Sequence, residues 1–366
     1  MAWEVIFSQF TLSWTQDTVF NPALVDVVDQ TGVSAQAKDA EQTVKDMWFY
    51  MQTAINPNQL VSSKVGAKEL DQLTEGQIIP LQDGGKWPDK AIQVNPYGGK
   101  RMVTKLAYDW VQSNNELKWA SESVATAIAE FAEGIRDLRS GAMRDKAIEA
   151  TRVFTQGFSV SAAYGPGSQT PGGQSLFDTD HPYDNSASTF RNVLGGSYGT
   201  LNKVLSATSL QDMLDILTYG TRMANGDYVT IPDYFTLIIP RQLRVTAGSI
   251  INSPNQVAGA FAGTGSNSSL VNTFYFNENK VKFVVNSFLG TNTKKWLIGS
   301  DTGFYLMNAE AAKEQRALRY LTLNDGELEM WYDQNTKNRY VSYYHACAFD
   351  HFGAEPFVAG SLGTVA

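Results

Sequence analysis

One segment of the chain has the residue pattern of a hydrolase nucleophile. Residues 195–199 read GGSYG and fit the G-x-S-x-G pattern, the sharp turn that presents a serine hydroxyl in α/β-hydrolases. An Asp and then a His must follow to complete a triad, and His345 and His351 both lie downstream of Ser197. The pattern lies in a Gly- and Ser-rich stretch with no clear strand before it or helix after it, so it arises easily by chance. A serine hydrolase that uses Ser197 is therefore kept as an alternative function.

A second group of polar residues surrounds His181. Asp178 and Asp180 stand three and one positions before it, and two carboxylates with an imidazole can bind a metal ion. The order Asp-x-Asp-His-Pro is not a known ligand spacing, whereas Asp and Pro are common in turns. We interpret the segment as a turn and predict no metal site. His345 and His351 are interpreted as strand residues whose rings are satisfied by hydrogen bonds.

Cofactor binding has no support in the sequence. The chain contains no G-x-x-x-x-G-K motif, and residues 263–268 (GTGSNS) lack the third glycine and the preceding strand of a dinucleotide fingerprint. The single cysteine, Cys347, cannot form an internal disulfide, and its apolar and aromatic neighbours predict a buried thiol in a reducing compartment. We therefore predict no catalytic residue, no cofactor and no enzymatic activity.

The composition argues against several other classes of protein. A chain of 366 residues is larger than one hydrophobic core usually serves, which suggests two or more lobes. The net charge of −8 argues against broad binding of nucleic acid, and the densest basic stretch, Lys100, Arg101 and Lys105, is interpreted as a solvated strand face. No apolar run approaches the roughly 20 residues that span a bilayer, and residues 1–15 lack the basic start of a signal peptide. We therefore expect a soluble protein that is not exported.

The surface that this composition predicts is unusually poor in charge. Charged residues make up 18% of the chain, below the roughly 25% of an average soluble protein. More of the surface is then uncharged polar or apolar, which suits lateral contacts with other subunits.

The elements that must position these residues begin with an arm, a helix and a hairpin. Residues 1–33 have no strong period and are predicted to form an extended arm. From residue 36 to 55 apolar residues recur at spacings of three and four, which predicts an amphipathic helix. Residues 60–99 are rich in Gly and Pro and predict a long hairpin with its tip at residues 83–85 (DGG). Because two strands alone are marginal in water, this hairpin needs a surface, which a neighbouring subunit can supply.

The strongest periodic signal in the chain predicts a long helix. It begins near residue 116, extends past 140 and, after a phase slip near Gly141, continues to Phe154. At 1.5 Å per residue this spine would be roughly 55 Å long. The apolar positions before the slip are Leu117, Ala120, Val124, Ile128, Phe131, Ile135, Leu138 and Ala142.

The rest of the chain mixes loops, helices and strands. Residues 157–209 are dense in Gly, Ser, Pro and Asn and predict long loops. Further helices are predicted at 209–223 and from 240 to about 251. Strands are predicted at 234–239, 280–286, 294–307, 322–333 and 339–352, the last two as a closing antiparallel pair. This order has no regular βαβ period and therefore predicts an α+β fold.

Taken in this order, the chain resembles the major capsid proteins of tailed bacteriophages, which have the Hong Kong phage type of fold. Within them it is most similar to the Mu-like major head subunits. Three segments carry the resemblance: 176–182 (LFDTDHP), 234–243 (YFTLIIPRQL) and 354–358 (AEPFV). The similarity spans residues 35–358.

The resemblance implies a domain organisation. Residues 1–59 would form the N-terminal arm and helix, and 60–99 the extended hairpin loop. Residues 100–158 and 318–366 would form a peripheral domain that contains the spine helix. Residues 159–317 would form an inserted axial domain.

The resemblance also implies partners and a location. The chain would assemble with itself into hexamers and pentamers of an icosahedral shell around double-stranded DNA, which it would not bind sequence-specifically. Since the sequence begins without a long charged helical segment, either a separate scaffolding protein is expected or the chain is the processed form. A portal and possible decoration proteins complete the expected partners, with no membrane. The chain would be assembled in the host cytoplasm and reside in the virion, although a non-viral compartment shell of the same fold is an alternative.

Overall fold

The computed structural model describes residues 35–61, 90–103, 121–158, 170, 173–183, 188–194, 203–223, 226–252, 280–290, 301–336 and 338–361. The predicted N-terminal arm and the predicted hairpin tip lie outside these ranges. The chain divides into two compact units. Unit 1 comprises Met1–Glu41, Asn95–Lys146 and Leu323–Cys347, and unit 2 comprises Gln42–Val94, Ala147–Thr322 and Ala348–Ala366.

The described residues combine helices and strands, in agreement with the predicted mixed fold. The α-helices are α1 Ala35–Asp46, α2 Ser121–Thr155, α3 Ala207–Asp215, α4 Arg244–Ile251 and α5 Ala309–Glu314. The strands are β1 Tyr50–Thr53, β2 Asn58–Val61, β3 Lys90–Gln93, β4 Asn95–Val103, β5 His181–Pro182, β6 Thr189–Phe190, β7 Tyr234–Ile239, β8 Lys280–Val285, β9 Tyr305–Asn308, β10 Leu318–Tyr332, β11 Arg339–His351 and β12 Phe357–Ala359. None of the described helices is both long and apolar enough to span a membrane.

Helix α2 is the predicted spine. It contains 35 residues, a length of about 52 Å at the usual rise of 1.5 Å per residue. The expected phase slip near Gly141 does not interrupt the helix. In its last two turns Ala147, Ala150 and Phe154 are fully buried, as the apolar spacing of three and four predicts. The predicted first turn, before Ser121, lies outside the described residues.

The predicted helix over residues 36–55 is wrong at its C-terminal end. Helix α1 ends at Asp46, and Trp48 has a positive φ of 56°, a conformation that ends helices. Tyr50–Thr53 then form strand β1, which pairs in parallel with residues 319–322 of β10. Apolar spacing alone could not separate these alternatives, because the strand partner lies far along the chain.

The base of the predicted hairpin is present. Strands β2 and β3 pair antiparallel, from Asn58 opposite Gln93 to Val61 opposite Lys90, and therefore join the two ends of segment 62–89. The tip lies outside the described residues. The hairpin was expected to extend to residue 99, but residues from Asn95 onward belong to β4, which pairs antiparallel with β11.

The predicted closing strands occur as β10 and β11, which are neighbours in a sheet of order β1-β10-β11-β4. The backbone N–H of Asp333 donates to the carbonyl of Asn338 across the turn that joins them. In unit 1, the pairing of β11 with β4 runs from Arg339 opposite Val103 to Cys347 opposite Asn95.

Unit 2 has its core on both faces of a second sheet, of order β12-β9-β7-β8. Side chains of adjacent strand residues point to opposite faces. Accordingly, Leu237 and Leu306 belong to one buried cluster and Ile238 and Met307 to another. The first cluster contains residues of α3 and α4, and the second contains residues of α5 and the end of α2. Helices therefore cover both faces of this sheet.

Most other predicted elements of unit 2 are present with shifted ends. The helix expected at 209–223 begins earlier, because Ser206 caps α3 with its side chain, and a π-helical turn, Ile216–Gly220, replaces its last part. Strand β7 has the predicted bounds, and β8 ends one residue early. The strand expected at 294–307 is described only as β9, Tyr305–Asn308.

Candidate functional site

The hydrolase candidate cannot be assembled from the described residues. Ser197 lies outside them, so the triad stays an untested alternative. Its two candidate partners, His345 and His351, both lie on β11, and their side chains are 2% and 3% exposed. The structure therefore places both imidazoles in the protein interior.

His345 occupies an aromatic setting within unit 1. Its ring stacks on Tyr97 with 5.1 Å between centroids and is tilted against Tyr343. Neither ring nitrogen has a hydrogen-bond partner among the described residues, so the prediction that hydrogen bonds satisfy this ring is wrong there. Burial lowers the pKa of His345 from 6.5 to about 4, with a smaller contribution from the positive charge of Lys146. The ring is therefore neutral at pH 7.

His181 is also a packed ring. It opens the short strand β5, lies opposite Phe190 of β6 and stacks on that ring with 5.0 Å between centroids. Burial lowers the pKa of His181 to about 4. The Asp178 carboxylate accepts hydrogen bonds from Ser175 and from the Thr179 N–H, which suits the predicted turn. Among the described residues no group of three or more His, Cys, Asp or Glu is placed to hold a metal ion.

The structure adds a buried ion pair at the base of the hairpin that the sequence did not reveal. The Lys90 ammonium lies 2.9 Å from Oδ1 of Asp350, and the two side chains are 7% and 8% exposed. The partners are 260 positions apart in sequence. The sequence does contain an alternation here: Lys90, Ile92 and Val94 stand at every second position, and all three side chains are buried. This face is apolar except for the lysine.

The Asp350 carboxylate is oriented by the backbone of the next residue. Its Oδ1 accepts the N–H of His351 at 2.7 Å, and the Lys90 ammonium also donates to the carbonyl of His351 at 2.6 Å. Nδ1 of His351 lies 3.4 Å from the same carboxylate oxygen. The lysine is therefore held by two acceptors on consecutive residues of β11.

Burial dominates the electrostatics of this cluster. It lowers the pKa of Lys90, against the attraction of Asp350, and raises the pKa of Asp350 to about 6, against the attraction of Lys90. It also lowers the pKa of His351 well below 6.5, with further contributions from Lys90 and His181. The opposite shifts at Lys90 and Asp350 show the cost of removing an ion pair from water. The cluster is organised to hold two segments of chain together.

Large apolar side chains are exposed beside this base. Met51 on β1, Ile55 in the following loop and Leu60 on β2 are 62%, 81% and 63% exposed. All three lie within ten consecutive residues, whereas exposed apolar side chains scattered singly need no explanation. This stretch, residues 51–60, is a candidate contact surface and is called the base surface below.

Comparisons with known proteins give structural neighbours only. No known protein family matches the chain, and no curated protein matches it. The capsid of the empty GTA particle is 8% identical, with a TM-score of 0.48, over 95% of this chain and 94% of that chain. The virus-like particle from Pyrococcus furiosus is 9% identical, with a TM-score of 0.40, over 90% and 97%. The capsid of the cyanophage P-SCSP1u is 9% identical, with a TM-score of 0.45, over 87% and 86%.

The solved structures similar to this chain are thus phage capsids and capsid-like particles, the class that the sequence resemblance indicated. At such identities and TM-scores, the likeness by itself defines no function.

Proposed function

We propose that this chain is the repeating structural subunit of a closed protein shell. The base surface is the observation that carries the proposal, because its apolar side chains Met51, Ile55 and Leu60 are each more than half exposed to water. Large exposed apolar areas are typical of surfaces that another protein covers. The adjoining pair, β2 and β3, buries Val61, Lys90 and Ile92 within its own chain, whereas Leu60 on the opposite face stays exposed. A neighbouring copy of the chain can cover this exposed face.

Two further features support a structural role. Helix α2 has 35 residues, about three times the length of an average helix in a globular protein. The three histidines of the chain are all buried, and burial lowers the pKa of each. Buried neutral imidazoles suit packing better than the solvent-accessible general base that a Ser197 hydrolase requires.

The finer proposal follows the sequence resemblance. Copies would form hexamers and pentamers of an icosahedral shell that encloses double-stranded DNA, with a separate scaffolding protein, a portal and possible decoration proteins as partners. Residues 100–158 and 318–366 would form the peripheral domain and 159–317 the axial domain. The subunit would assemble in the host cytoplasm and reside in the virion.

Sedimentation velocity and electron microscopy of the purified protein test the proposal. We expect large, uniform, closed particles, either spontaneously or with the scaffolding partner. A chain that stays monomeric in both conditions would contradict a shell subunit. Nuclease-protected DNA within particles made in the native host distinguishes a viral shell from a compartment shell of the same fold.

The hydrolase alternative has a direct test. Ser197→Ala should leave stability and particle formation nearly unchanged, because the sequence predicts a loop around this residue and a small substitution in a loop typically has little effect. An esterase activity in the unaltered protein that this substitution abolishes would instead favour the hydrolase.

A further inference from the structure

The two residues that flank segment 62–89, Val61 and Lys90, are both buried. Val61 ends β2 and Lys90 begins β3, the two residues lie opposite each other in the antiparallel pair, and they are 2% and 8% exposed. Each outward neighbour is accessible, since Leu60 and Ala91 are both exposed. The pair β2–β3 therefore packs against the rest of unit 2 with one face only.

The attachment at Lys90 is directional. An ammonium that donates to Oδ1 of Asp350 at 2.9 Å and to the His351 carbonyl at 2.6 Å must approach β11 from one direction. The acceptor is itself fixed, because the same Oδ1 receives the backbone N–H of His351. Apolar contacts, such as those of Val61 on the opposite strand, do not impose such a direction.

Stability alone does not account for an ion pair at this position. A buried pair is often no more stabilising than well-packed apolar residues of similar volume, because both charges lose their hydration. Ile92 and Val94 already fill the next two positions on the same face, so an apolar residue is compatible with this environment. Oδ2 of Asp350 has no hydrogen-bond partner among the described residues, which adds to the cost. In some proteins a buried polar group serves instead to specify one arrangement among several.

We propose that Lys90 and Asp350 are a positioning pair, which fixes the orientation of β2–β3 on unit 2 and thereby the two points from which segment 62–89 extends. The consequence for assembly rests on the proposed shell function. With the pair replaced by apolar residues, unit 2 stays folded, but β2–β3 takes several orientations and copies no longer meet in one geometry.

The test separates the attachment of β2–β3 from the thermal stability of the whole chain. In the double variant Lys90→Met with Asp350→Leu, neither partner is left as an unpaired buried charge. We expect a melting temperature equal to or above that of the unaltered protein. We also expect about tenfold or faster amide hydrogen exchange in peptides that cover 58–61 and 90–93, because exchange reports local opening. By sedimentation velocity, uniform particles should be absent or become heterogeneous.

A matched control removes a different ion pair. Lys146 and Asp325 of unit 1 lie 2.7 Å apart, with side chains 19% and 63% exposed, so Lys146→Met with Asp325→Leu deletes the same charges in the unit that does not contain β2 and β3. Exchange at 58–61 and 90–93 should then stay as in the unaltered protein. Should the first double variant fail to fold, Lys90→Gln with Asp350→Asn keeps a donor and an acceptor without leaving a buried charge unpaired, and is expected to show faster exchange at 58–61 and 90–93.

The exchange measurement tests the positioning role, and the sedimentation measurement tests the shell function. Unchanged exchange at β2–β3 in the folded double variant, or in Lys90→Gln with Asp350→Asn where the first double variant does not fold, overturns the positioning role. If the unaltered protein itself forms no particles, the shell function is wrong, while the exchange measurement still decides whether the pair orients β2–β3.

Discussion

The side-chain amide of Asn286 donates a hydrogen bond of 2.9 Å to the hydroxyl of Thr151, and both residues are fully buried. Thr151 in turn donates to the carbonyl of Ala147 within α2. Asn286 also accepts the N–H of Phe288 and stands directly after β8. Two side chains that are 135 positions apart thus join the end of the spine helix to the central sheet of unit 2.

The first prediction concerns this buried link. Asn286→Ala should lower the free energy of unfolding by about 2–4 kcal/mol, because it opens a cavity and leaves buried polar groups unpaired. Thr151→Ser keeps the hydroxyl and serves as the control, with a loss of about 1 kcal/mol. Urea unfolding of both variants, combined with Thr151→Val in a double-mutant cycle, measures the coupling. A coupling energy near zero would show that the two side chains do not interact.

The second prediction compares two glycines in unit 1. Gly326 of β10 has φ of 152°, and a Cβ added there would lie 2.0 Å from the Tyr343 hydroxyl oxygen. Gly141 is helical and has no atom within 4 Å of the corresponding position. Gly326→Ala should therefore destabilise by roughly 2 kcal/mol or more, whereas Gly141→Ala should stabilise by about 0.5–1 kcal/mol. Thermal melts that rank the two variants in the opposite order would contradict the geometry around Tyr343.

The third prediction is a pH dependence caused by His345. Burial lowers its pKa from 6.5 to about 4, so the unfolded chain binds this proton more readily than the folded one. The contribution to stability is therefore complete above pH 6.5 and is lost as pH falls toward 4, by up to about 3 kcal/mol. His345→Phe keeps an aromatic ring against Tyr97 and removes the titrating group.

Urea unfolding at pH 7 and at pH 4.5 checks this dependence. The difference in stability between the two pH values should shrink in His345→Phe, while stability at pH 7 stays the same or rises. Asp350 and Glu355 act in the opposite direction, because burial raises their pKa values to about 6 and about 7. Variants at other positions should therefore be compared in the same buffers. An unchanged difference in His345→Phe would show that this imidazole is not desolvated.

Elements with a long, regular period could be predicted from the sequence because their own residues determine them. The spine helix α2 repeats its apolar positions over many turns, and β7 is an apolar run interrupted only by Thr236 and followed by Pro240. Residues 50–53 behaved differently, since their apolar spacing also fits a helix. Their strand conformation depends on parallel pairing with β10, a partner that local patterns do not reveal.

The candidate site was less predictable for the same reason. Lys90 and Asp350 meet across 260 positions, and neither stands in a recognisable motif. At Lys90 the sequence shows one charged residue in line with apolar residues at every second position. Such a charge also fits the exposed end of a strand. For His345 the strand was predicted correctly, but its lack of hydrogen-bond partners among the described residues depends on the strands and helix that surround it.

The last prediction concerns the segment between β2 and β3 and distinguishes a shell subunit from a self-contained protein. Replacing residues 77–88 with a short Gly-Ser turn leaves Val61, Lys90 and the pairing of β2 with β3 in place. We expect nearly normal circular dichroism, because the replacement leaves unchanged every described residue of the core clusters of unit 2. Closed particles should fail to form, because a symmetric assembly repeats the same defect at every copy of the interface.

A length-matched Gly-Ser replacement of the same twelve residues separates the effect of side chains from the effect of chain length. If side chains of this segment bind a neighbouring copy, both replacements abolish assembly; if only reach matters, the length-matched chain still assembles. Sedimentation velocity distinguishes these outcomes directly. Large uniform particles from the shortened chain would show that the segment takes no part in assembly, and the base surface would then have to be sufficient for the interface between copies.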